Sequence, residues 1–151
     1  EYPVKKSATL IHQAKEYITL LGLDDWILLS TDYLPDNESM RLLAEADLIV
    51  YPYQLTNESS SAAVRYGIAT GKPVAVTPLP IFDDVASLVH TLPGHSSEEI
   101  ARGISQILDA IVNDSLGIRE RKAETERWRA EHLYSILGQR FYGMLKGLIR
   151  D

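Results

Sequence analysis

The stretch Ala46-Asp47-Leu48-Ile49-Val50-Tyr51-Pro52-Tyr53, followed after a polar interval by Ala69-Thr70-Gly71-Lys72-Pro73-Val74-Ala75-Val76-Thr77, decides how this chain is read. Leu48 to Tyr51 and Pro73 to Thr77 are short apolar runs bounded by turn residues, the pattern of strands buried on both faces of a parallel sheet. Between them, Gln54 to Ser61 is polar, and a helix is expected from there to about Thr70, with Gly71 as its stop. Strand, helix and strand in that order form a crossover unit, and crossover units build parallel sheets.

Working downstream, a Pro-punctuated loop follows Thr77, then a short helix near Asp83 to Ser87 and a weaker strand over Leu88 to Leu92. Ser96 with Glu99 three residues on is a capping-box signature, and Ile100, Ile104, Ile107, Leu108 and Ile111 then trace one face of a helix. The segment Ile118 to Asp151 is charged first and aromatic-rich later. Trp128, Leu133, Tyr134, Leu137, Phe141, Met144 and Leu145 can form an apolar stripe there, and aromatics at helical spacing read first as packed core or domain interface.

Upstream, Asp36 or Asn37 caps a short helix through Ala46, with Met40, Leu43 and Ala46 on one face. Trp26-Ile27-Leu28-Leu29 reads as a further buried strand, followed by a loop from Ser30 to Pro35. Leu10, Ile11, Ala14, Tyr17, Ile18 and Leu21 recur at helical spacing over Ser7 to Leu21, and Gly22 ends that helix. The whole predicts an α/β chain with a doubly wound parallel sheet, residues 1–151 forming one domain and 112–151 its C-terminal helices.

Composition narrows the function. With 45% hydrophobic and 24% charged residues, the 151-residue chain can bury a real core. Its net charge of −6 argues against nucleic acid as a partner, and its basic residues cluster only over Arg119 to Arg129, where acids alternate with them. The lack of cysteine removes disulfides, thiolate metal sites and thiol nucleophiles, which suits a cytoplasmic protein. No apolar run approaches the roughly 20 residues that span a bilayer, so any membrane contact is expected to be peripheral. The opening Glu1-Tyr2-Pro3-Val4-Lys5-Lys6 is no signal peptide, and without an initiator methionine the chain is expected to be part of something longer.

In an open parallel sheet, ligands bind beyond the carboxyl ends of the strands. Three loops qualify: Ser30 to Pro35, Tyr53 to Ser61, and Thr77 to Asp84. The middle one places Glu58-Ser59-Ser60-Ser61 where a helix begins, so amides and small hydroxyls would face outward together as a phosphate cradle. The same residues also read as ordinary helix capping.

The longer string resembles the signature half of a family 4 glycosyltransferase of the GT-B type. In that family a strand reading Ala-Asp-Leu runs into a loop with Glu, then a helix ending in Gly-Lys-Pro-Val, then a strand closing at Thr. The resemblance covers roughly Leu21 to Val85. It implies a Rossmann-like donor-binding domain of a retaining enzyme that uses a nucleotide-diphosphate sugar, with no further cofactor and no metal. It further implies that Glu58 is directed at the donor sugar as the catalytic residue, that Ser59, Ser60 and Ser61 bind the donor diphosphate, and that Tyr33 and Leu34 line the base pocket. Surface-polysaccharide or glycoconjugate biosynthesis is the implied setting, with a sugar or lipid-linked acceptor reached through a separate N-terminal domain.

Two departures from the family pattern stand out. A second Glu usually follows the first by eight positions and holds the ribose hydroxyls; here that position is Tyr66, expected to bind the nucleotide through a single ribose oxygen where a carboxylate accepts from both hydroxyls. The family's two opening strands, with a Gly-rich turn and an Arg and Lys that neutralise the diphosphate, are not visible before Ser7, so this stretch is not expected to catalyse alone. Two rival readings follow: a nucleotide-sugar epimerase of GT-B type, and a degenerate, non-catalytic interaction module.

Other residues carry weaker signals. Arg65 reads as a solvated helix-face arginine or as a phosphate contact, and Asp83-Asp84 as helix capping or as acids near the donor. The four histidines, at positions 12, 90, 95 and 132, show no metal-ligand spacing. Asn57-Glu58-Ser59 matches a glycosylation sequon, which has no bearing on a cytoplasmic protein.

Overall fold

A computed structural model describes residues 4–56 and 58–148; Asn57, and with it the start of the sequon, lies outside the described residues. The chain divides into two compact units, Glu1–Pro35 and Asp36–Asp151.

The first unit holds helix α1, Val4–Leu20. Its end follows from Gly22, whose φ of 67° is the left-handed conformation that glycine adopts freely. Gly22 N–H donates to the Thr19 carbonyl at 3.0 Å and Leu23 N–H to the Ile18 carbonyl at 3.0 Å, the paired bonds of a Schellman cap. Of the apolar stripe, Ile11, Ala14 and Ile18 are partly buried, whereas Leu10, Tyr17 and Leu21 are exposed.

The strand expected over Trp26 to Leu29 does not form. Trp26 and Ile27 N–H both donate to the Leu23 carbonyl at 3.0 Å, which folds Asp24 to Trp26 into a turn, and the run pairs with no strand among the described residues. Trp26 is 85% exposed and Leu28 94%. An apolar run of this length is permissive of a strand, but only a partner's backbone makes it one.

The second unit carries the core. Helix α2, Asp36–Glu45, starts after Pro35 with Asp36 and Glu38 in its first turn, where the helix dipole favours acids. Strand β1 is Ile49–Tyr51, helix α3 Ala62–Ala69, and strand β2 Val74–Val76. After β2 come a 3-10 helix, Pro80–Val85, and strand β3, His90–Thr91. All three strands are parallel in the order β1-β2-β3, with Val50 opposite Ala75 and Ala75 opposite His90. The molecule is therefore mixed α/β. The order runs one way across the sheet, and the reversal that defines a doubly wound sheet is not among the described strands.

Ile49, Val64, Ile68, Val74, Val76, Ile81, Phe82, Val85, Leu88 and Val89 form a single buried cluster, with Leu43, Ala46 and Trp128 packed against it. Gly67 lets α3 approach the sheet: a Cβ there would meet the Tyr51 hydroxyl at 3.0 Å and Val74 Cγ2 at 3.2 Å. Helix α4, Ser97–Val112, opens on the expected capping box, with Ser96 Oγ accepting from Glu99 N–H and the Glu99 carboxylate accepting from Ser96 N–H.

Helices α5, Leu116–Glu131, and α6, Tyr134–Leu148, complete the chain. The break between them at His132 splits the anticipated apolar stripe. Trp128 goes to the core, while Tyr134, Phe141 and Met144 on α6 are exposed. Among the described residues no helix is long and apolar enough to cross a membrane.

Candidate functional site

The carboxyl ends of the three strands open into loops that are tied to one another. Thr77, fully buried at the end of β2, donates its hydroxyl to the Tyr53 carbonyl at 2.6 Å, joining the loop after β1 to the loop after β2. The Tyr53 ring rests against Phe82 with centroids 5.4 Å apart, and Gln54 Nε2 donates to the His95 carbonyl at 3.4 Å, reaching the loop after β3. Arg65 on α3 pairs with Asp84 and donates to the Ser61 carbonyl at 2.8 Å. Its place is thus an internal ion pair with the acidic loop, a partner that neither sequence reading of Arg65 gave.

On this rim, Glu58, Ser59 and Ser60 are exposed at the approach to α3. Glu58 N–H donates to Thr56 Oγ1 at 3.2 Å, which shapes the loop. The next residue differs: Ser61 is 3% exposed, its Oγ accepts from Val64 N–H at 3.3 Å and lies 3.3 Å from the Tyr53 hydroxyl. Ser61 is therefore the N-cap of α3, and its hydroxyl is turned inward. Asp83 lines a small cleft of about 290 Å³ beside the rim, together with Thr77, Pro80 and Thr91.

Tyr66 lies elsewhere. It is 38% exposed and, with Ala62, Arg65 and Ala69, turns one face of α3 toward a groove of about 780 Å³ bounded by α2 and by the α5–α6 junction. None of Glu58, Ser59, Ser60 and Ser61 lines this groove. Trp128 and His132 stack at its wall with ring centroids 4.1 Å apart. Tyr33 and Leu34 belong to the Glu1–Pro35 unit, where Tyr33 is exposed and Leu34 partly buried.

A further cavity, of about 410 Å³, lies at the opposite, amino end of the sheet, below Asp47, Lys72, Pro73 and His90. Burial, and then the Arg121 charge, push the His90 imidazole down to about 4. Sequence spacing marked His90 only as a histidine outside any metal-ligand pattern and Arg121 only as part of the mixed-charge run Arg119 to Arg129, and brought neither to the other. The signal was present, because Ile118, Arg121, Thr125 and Trp128 share one helical face and set an arginine where an apolar residue is expected.

The His90 shift has a consequence for stability. Between its unfolded value near 6.5 and its folded value near 4, the unfolded chain binds the proton and the folded chain does not, so stability falls as pH drops through that window. The expected contribution is on the order of 1 kcal/mol, allowing for partial exposure. Urea unfolding at pH 7 and at pH 4.5 should show the loss, and His90→Gln should reduce it.

Among the described residues no cluster of three or more His, Cys, Asp or Glu is arranged to hold a metal ion. Compared with known proteins, the chain matches no family model, no curated protein sequence and no solved structure. What fold and site define is a class: a mixed α/β unit with an exposed Glu-Ser-Ser loop at the carboxyl edge of a parallel sheet.

Proposed function

We propose that this chain is the nucleotide-sugar-binding part of a retaining GT-B glycosyltransferase, with a Rossmann-like doubly wound sheet in the whole domain. One observation carries the reading. In a β1-α3-β2 crossover unit, Glu58, Ser59 and Ser60 stand exposed between the carboxyl end of a parallel strand and a helix N-terminus, where the amides and the dipole favour phosphate. Glu58 then faces the donor sugar and Ser59 and Ser60 the diphosphate. Ser61 serves by holding the helix start in place. The acceptor is a sugar or lipid-linked sugar brought by a second domain, and the reaction belongs to cytoplasmic assembly of a polysaccharide or glycoconjugate.

Calorimetric titration of UDP, GDP and ADP into the full-length protein tests this. Saturable binding of one nucleotide, weakened at least several-fold by Ser60→Ala, is the expected result. A folded protein that binds none of the three overturns it. The non-catalytic module is the reading that would then stand.

A further inference from the structure

The cavity at the amino end of the sheet has a charge arrangement that the donor reading does not use. Its cationic lining comes from Lys72, which enters β2, and from Arg121 and Lys122 on α5. Among the described residues none of these three makes an ion pair with a carboxylate. The carboxylates nearby are partly engaged with other cations: Glu126 pairs with Arg129 at 2.8 Å, and Asp114 lies 3.9 Å from Arg119. Asp47 completes the acidic lining.

Arg121 is held as a fixed donor. Its Nη1 donates to the carbonyls of Ala86, Ser87 and Val89 at 3.3, 3.0 and 2.5 Å, so the guanidinium plane is set by the loop before β3. Its Nε is buried with no hydrogen-bond partner among the described residues. A buried donor without an acceptor is unfavourable, which leaves the Arg121 guanidinium incompletely satisfied by the protein itself.

We propose that this cavity is a binding site for a small organic phosphate, distinct from the carboxyl-edge rim. A phosphomonoester is dianionic near neutral pH and carries three terminal oxygens, which suits a cavity lined by a guanidinium and two ammonium groups better than a single carboxylate does. The volume of about 410 Å³ falls in the range of small-molecule sites, about 300–1,000 Å³, and exceeds what inorganic phosphate alone fills. His90, neutral at physiological pH, and Thr125 line the same space and supply hydrogen-bonding groups for hydroxyls on the organic body.

The test titrates glucose 6-phosphate, inorganic phosphate and succinate into the full chain by calorimetry. Glucose 6-phosphate should bind saturably and more tightly than the other two, and the double variant Lys72→Gln, Lys122→Gln should weaken it about tenfold or more. Both lysines lie at the cavity edge outside the buried core, so that variant is expected to fold; circular dichroism and its urea midpoint check this. Glu58→Gln should leave the affinity unchanged. Binding that survives the double lysine variant, binding that disappears with Glu58→Gln, succinate or inorganic phosphate binding as tightly as the ester, or no saturable binding at all would each overturn the proposal. Because Glu58 lies at the opposite end of the sheet, this site and the proposed donor site can fail independently.

Discussion

Phe82→Ala should lower the unfolding free energy of the Asp36–Asp151 unit by about 3–5 kcal/mol, the largest effect expected of any single substitution described. Phe82 is 3% exposed in the central cluster, its ring meets Tyr53, and it sits on the 3-10 helix that follows β2. Truncation removes the transfer free energy of the ring and leaves a cavity that rigid neighbours cannot fill. The loss reaches the site as well. Tyr53 would lose its packing partner, and the Tyr53 hydroxyl lies against Ser61 Oγ, which caps α3. A shifted urea midpoint with an unchanged m-value would agree with simple destabilisation. A change below about 1 kcal/mol would mean that the cluster is not packed as described.

Glu58→Gln is expected to do the reverse, with large loss of function and little loss of stability. The side chain is exposed on the rim, and among the described residues only the Glu58 backbone amide is used, in its bond to Thr56, so the unfolding free energy should stay within about 0.5 kcal/mol of the parent. If Glu58 faces the donor sugar as proposed, removing its charge withdraws electrostatic stabilisation where positive charge develops in the transition state, and kcat of sugar transfer by the full-length protein should fall about a hundredfold or more. Nucleotide affinity should change far less than kcat. Unchanged transfer would remove Glu58 from the chemistry, and a parallel loss of stability would make it a structural residue.

Much of the fold was legible because it rests on local chemistry. The Schellman end of α1 needs a residue free to take positive φ, and Gly22 is one; the start of α4 needs Ser and Glu three apart, and Ser96 and Glu99 provide them. Strands β1 and β2 announced themselves as apolar runs between turn residues, and the segment between them was plainly a loop entering a helix. At the site, the exposure of Glu58, Ser59 and Ser60 followed from that placement.

Where the sequence fell short, the deciding partner was distant along the chain. Trp26 to Leu29 has the composition of a buried strand, yet its backbone pairs with no described strand and Asp24-Asp25 turn it instead. Ser61 looked equivalent to Ser59 and Ser60, but the Tyr53 hydroxyl and Val64 amide draw it inward. Arg65 looked solvated until the fold brought Asp84 to it, and Arg121 looked like one charge in a mixed run until α5 laid it against the carbonyls before β3. The sequence alone thus determined the Schellman end of α1, the capping box of α4, the β1-α3-β2 order and the position of the exposed Glu-Ser-Ser loop, because each depends on residues within a few positions of one another. Only the tertiary structure decided which side chains are consumed by packing and which are left for a ligand, because burial and pairing depend on groups that the sequence keeps far apart.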